Sequence, residues 1–67
     1  MKVKLKYGIW ISEDKKLYPQ NTLVMKIKCK DSLYHHFRKV DISEKSEYIL
    51  IRFPDEREMI VHKTELI

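Results

Sequence analysis

Sixty-seven residues fit one domain, residues 1–67, and a chain this short hides only about 60% of its unfolded surface when it folds. With 43% hydrophobic and 10% aromatic residues, one glycine and two prolines, it is neither a disordered segment nor a low-complexity linker. The net charge of +4 is uneven: residues 1–40 carry +7 and residues 41–67 carry −3, a polarity suited to a polyanion or to head-to-tail self-association.

The first expected strand runs from Val3 to Ile11. Lys2-Val3-Lys4-Leu5-Lys6-Tyr7 alternates charged and apolar residues, and a period of two is the mark of a half-buried strand. Val3, Leu5, Tyr7, Ile9 and Ile11 share the expected inner face, while Lys2, Lys4, Lys6, Gly8 and Trp10 share the outer one. Gly8 offers an alternative, because a bulge there would turn Trp10 inward. Ser12 to Lys16 reads as a polar turn, and Pro19-Gln20-Asn21 as a second break.

The second expected strand spans Thr22 to Lys30 and repeats the alternation in Met25-Lys26-Ile27-Lys28-Cys29-Lys30. Leu23, Met25, Ile27 and Cys29 are expected inside; Val24, Lys26, Lys28 and Lys30 outside. Lysines facing each other about 5 Å apart would repel by about 0.8 kcal/mol per pair in water. The two lysine stripes are therefore expected to be offset, separated or neutralised by the acidic C-terminal half.

Residues 33–42 carry two patterns. Leu33, Phe37 and Val40 have helical spacing behind Ser32 as an N-cap, whereas Tyr34, His36, Arg38, Val40 and Ile42 alternate as a strand would. The reading adopted is a strand at 38–42 preceded by a turn or one short helical turn near 32–38. Ser43 to Glu47 is an expected polar loop. A hairpin follows: Tyr48 to Phe53, a turn Pro54 to Arg57, and Glu58 to His62. Pro54 suits the second position of a type I turn because its φ is already fixed near −65°. Lys63 to Ile67 should make a short turn and tuck a last apolar pair against the core.

The sum is an all-β domain, a four- to five-stranded meander closing into a small barrel. The run from Ile49-Leu50-Ile51-Arg52-Phe53-Pro54-Asp55 through Met59-Ile60-Val61-His62 to Glu65-Leu66 resembles the last strands of SH3-like small barrels. In that family a hairpin is followed by a tight turn and a terminal apolar strand. The resemblance covers residues 48–67 and implies an architecture; it transfers no functional residue. The N-terminal half lacks the paired aromatic and acidic loop motifs of the members that bind proline-rich peptides.

No catalytic motif is present: there is no nucleophile elbow, no phosphate-cradling glycine loop and no metal-binding helix, so no enzyme is expected. His35 and His36 are adjacent and diverge on either a strand or a helix, and Cys29 and His62 stand at no zinc spacing; no metal or cofactor is expected. Charge interrupts the N-terminus and no run is long enough for a bilayer, so neither a signal peptide nor a membrane span is expected. One cysteine allows no internal disulfide, which favours a reducing, cytoplasmic setting.

What remains is a non-catalytic binding module with no evident small-molecule substrate. A protein partner or self-association is the first reading: an adaptor, an inhibitor or a small regulatory subunit. The alternative is a nucleic-acid-associated protein. The candidate contact face is Lys2, Lys4, Lys6, Trp10, Lys26, Lys28 and Lys30. Against the alternative, eleven of the fourteen cations are lysine, and arginine is the residue built for bidentate phosphate contacts. The bland reading of the same lysines is a solvated strand edge guarded against aggregation.

Overall fold

The computed structural model describes residues 1–40, 42 and 45–67. Six strands form two antiparallel sheets: β1 (Lys2–Lys4), β2 (Ile9–Ile11), β3 (Lys16–Tyr18), β4 (Leu23–Ile27), β5 (Tyr48–Arg52) and β6 (Glu58–His62). The larger sheet has the order β1-β4-β5-β6; β2 and β3 make a separate two-stranded hairpin. The all-β expectation holds, but these strands do not form a closed barrel.

The first expected strand is two strands. The backbone stays extended through Leu5 and then changes partner. Leu5 donates to the Thr22 carbonyl at 3.0 Å, whereas Lys6 donates to the Glu65 carbonyl at 2.7 Å and Leu5 bridges Leu66. Beyond this switch the chain leaves the sheet and starts the β2–β3 hairpin. Alternation detects extended backbone; it carries no information about where hydrogen-bond partners change.

The second expected strand has its faces reversed at its start. Cross-strand pairs share a face, and Val3 stands opposite Val24 while Lys2 faces Met25 and Lys4 faces Leu23. Val24 is therefore the core residue, at 2% exposure, and Leu23 lies outside at 51%. Lys26 is in phase with Val24 and opposite the buried Ile51, but it stands near the strand end, half-buried. A lysine can lay its methylene stem along an apolar surface and still wet its ammonium, so lysines alone do not fix which face is outer. The lysine stripes are offset, as electrostatics required: each β1 lysine meets an apolar partner. β4 stops at Ile27, and Cys29–Asp31 is a 3₁₀ turn, so Cys29 belongs to no inward strand stripe and is half-buried.

The short helical turn expected near 32–38 is α1, which covers His35–Arg38; Ser32 and Tyr34 before it are extended. Residues 38–40 and 42 form no strand, which corrects the expected strand at 38–42; Asp41 lies outside the described residues, as do Ser43 and Glu44 of the expected polar loop. The reason is a local anchor with no period in the sequence. The Glu58 carboxylate accepts from the Ser32 hydroxyl and from the Leu33 N–H at 2.9 Å, and Arg52 ties the same carboxylate at 3.1 Å and the Asp31 carbonyl at 3.0 Å. This network pins the 29–38 segment to the sheet face opposite the main core.

The β5–β6 hairpin matches expectation. Glu56 N–H closes on the Phe53 carbonyl at 2.9 Å with Pro54 second in the turn, and Glu56 then takes φ of 72°. A type I turn followed by a left-handed residue is a standard hairpin connection. After a 3₁₀ turn at Lys63–Glu65, Leu66 packs on the core, but Ile67 stays 67% exposed.

The main core is Leu5, Tyr18, Val24, Ile51, Phe53 and Val61, with Ile9 and Ile11 of the hairpin packed against it. Tyr18 and Phe53 stack with ring centroids 3.8 Å apart. β5 is buried on both faces, since Leu50 and Ile51 are both nearly inaccessible. Among the described residues no helix is long and apolar enough to cross a membrane.

Candidate functional site

Two surface features stand out, one apolar and one cationic. The apolar one is the outer face of the β2–β3 hairpin. Ile9 pairs with Tyr18 and Trp10 with Leu17. Because Ile9 and Tyr18 point into the core, Trp10 and Leu17 must point away from it, and each is 58% exposed. A methyl group built on Gly8 would meet the Leu17 side chain at 3.7 Å and nothing closer than 3.5 Å, so Leu17 lies over the glycine. Gly8 has an ordinary negative φ and does not turn Trp10 inward.

Polar ties hold this hairpin against the body of the molecule. The Tyr18 hydroxyl donates to Asp55 at 2.6 Å, Lys16 pairs with the same carboxylate, and Arg57 pairs with Asp14. Burial and the hydrogen bond to Asp55 both push the Tyr18 phenol well above its usual range, which keeps it a donor. Burial would raise the Asp55 pKa; the hydrogen bonds from Lys16, Tyr18 and the Arg57 N–H outweigh it and hold the group at about 2. Both tips of the connection between hairpin and β5–β6 turn are thus ionic, and the hairpin presents a fixed face.

The cationic feature is a groove of about 960 Å³ where β4 ends, β5 begins and β6 passes into its 3₁₀ turn. Lys26, Lys28, Lys45 and Lys63 line it, with Ile27, Ile42 and Leu50 among its apolar residues and Tyr48 on its wall. The seven residues singled out from the sequence are therefore not one face. Lys26 and Lys28 belong to this groove. Lys2 and Lys4 pair with Met25 and Leu23, nearer the start of β4. Lys6 caps the strand end with its ammonium 5.6 Å from the Tyr7 ring, Lys30 sits in the 3₁₀ turn, and Trp10 is on the hairpin. Lys45, Lys63 and Tyr48 escaped sequence reasoning because tertiary folding alone brings them into one groove with Lys26.

His35 and His36 lie exposed on α1, and among the described residues no three His, Cys, Asp or Glu side chains gather where one metal ion could be held. Comparison with models of known families, with curated proteins and with solved structures finds no match for this chain.

Proposed function

We propose that the protein is a non-catalytic interaction module that docks a protein partner through the Trp10–Leu17 face of its hairpin. The observation that carries this reading is the placement of the chain's one tryptophan. Burying a large apolar side chain is worth about 1.5–3 kcal/mol, and a domain with so small a core leaves that gain unused here. A cross-strand apolar pair on a solvated hairpin returns only about 0.2–1 kcal/mol. The difference is recovered when a partner covers the pair, and tryptophan is the residue most enriched at such anchors.

We read the scaffold as an SH3-like arrangement. Support comes from the β5–β6 hairpin, the following 3₁₀ turn, and Leu66 returning to bridge Leu5. The role is that of an adaptor, inhibitor or small regulatory subunit, working in the cytoplasm or as a self-associating unit.

Trp10 emission supplies the test. In the free protein it should be red-shifted and open to iodide; a partner recovered by affinity capture should shift it to the blue and shield it. Light scattering after size-exclusion chromatography decides whether that partner is a second copy. Trp10→Ala and Leu17→Ser should each weaken the complex by at least about 10-fold, the scale of an interface anchor, with far-UV circular dichroism unchanged. A partner held equally well by both variants would refute the assignment.

A further inference from the structure

We propose that the four-lysine groove binds single-stranded nucleic acid, its ammonium groups meeting backbone phosphates and the Tyr48 ring stacking an unpaired base. The argument begins with convergence. Lys26 and Lys28 come from the end of β4, Lys45 from the approach to β5, and Lys63 from the turn after β6, yet all four line one concavity. Among the described residues the groove's lining contains no carboxylate, and Glu47 at its rim approaches Lys63 at 4.0 Å while also contacting His62. Among the described residues Glu47 is the one acid that approaches these lysines, so the like charges repel one another, and a string of phosphates removes that repulsion. Lys2 and Lys4 do not join in: they pair with Met25 and Leu23, nearer the start of β4, and do not line the groove.

The groove's walls select among polyanions. Tyr48 is 54% exposed, and its ring meets the His62 ring edge-on, with centroids 5.3 Å apart at 89°. An exposed aromatic ring held in one orientation beside lysines is a base-stacking platform, and every base has a face to offer it. A duplex hides those faces and would reach only the lysines. Lysine contacts act as point charges, so binding is blind to sequence. None of the hairpin's residues line this groove, so the site is independent of the Trp10 face.

The test is fluorescence anisotropy of a labelled oligothymidylate and of a duplex of equal length. Four phosphate contacts on a single strand give a log–log salt slope of about −3, an affinity loss of about 50-fold between about 50 and 200 mM salt. The triple variant Lys26→Gln/Lys28→Gln/Lys63→Gln should lose most of that slope. Lys63→Gln alone should lower it by about 0.7, which keeps the test alive if the triple variant misfolds. Tyr48→Leu should weaken single-strand binding by about 10-fold at an unchanged slope. Lys2→Gln/Lys4→Gln should preserve the slope. The proposal falls if no saturable binding occurs at low salt, if the duplex binds as well as the single strand, or if anionic vesicles are bound in preference to the oligonucleotide. It falls equally if the Lys2/Lys4 variant matches the groove variants.

Discussion

Replacing Glu58 with glutamine tests the network that fastens the 29–38 segment to the sheet. Its side chain is fully buried. One carboxylate oxygen takes the Ser32 hydroxyl; the other takes the Leu33 N–H at 2.9 Å and Arg52 Nε at 3.2 Å. Glutamine is nearly isosteric, and its best placement keeps an oxygen toward Leu33 and Arg52 while turning its amide group toward Ser32. Ser32 must then rotate to accept, although it already serves Tyr34. Bonds to a charged group are worth about 1.5–3 kcal/mol against about 0.5–1.5 for neutral ones. Losing charge assistance on two or three bonds, discounted because Arg52 is partly solvated, gives a cost of about 2 kcal/mol. A domain of this size has about 3–10 kcal/mol in all. Urea titration followed by circular dichroism should show the loss, and Tm should fall by about 8–16 °C. The pH dependence adds a second check. Burial alone would raise the Glu58 pKa, but the bonds from Ser32, Leu33 and Arg52 bring it below its ordinary value. A depressed carboxylate pKa contributes stability above the unfolded value of about 4.3, and that contribution fades as pH falls through the folded value. Wild type and Glu58→Gln should therefore converge in acid. A gap smaller than about 0.5 kcal/mol at neutral pH, or one that persists unchanged in acid, would refute the reasoning.

Asp55→Asn should loosen the hairpin from the β5–β6 turn; since Asp55 titrates at about 2, wild type should lose this contribution as pH drops from about 4 toward 2, and the variant should show a flatter acid limb by circular dichroism. Glu56 sits at φ of 72°, where a side chain is strained and glycine is not, so Glu56→Gly should raise Tm by a few degrees in a thermal melt, an outcome opposite to that of glycine at an ordinary position. The β4 register makes a paired prediction for urea unfolding: Leu23→Gln should change stability by about 0.5 kcal/mol or less, whereas Val24→Gln should cost several times more because it buries an amide among Val3 and Ile51. Equal effects at the two positions would contradict the register.

The residue pattern by itself determined the β class, the β5–β6 hairpin with its proline turn and the need to keep the lysine stripes apart. Each of these follows from short-range rules: alternation across a strand, the fixed φ of Pro54, and Coulomb repulsion between neighbours. The pattern left Trp10 open between an outward place and a Gly8 bulge, which the pairing of Trp10 with Leu17 decided. Folding in three dimensions decided the rest. It broke the Val3–Ile11 run where Leu5 exchanges β4 for Leu66, and it set Val24 rather than Leu23 inside because Val3 and Ile51 lie on that side. It also tied the 29–38 segment through Glu58, 26 positions from Ser32, and assembled a groove from lysines as distant as Lys26 and Lys63. Such contacts depend on which strands become neighbours, and periodicity along one chain contains no coordinate across the sheet.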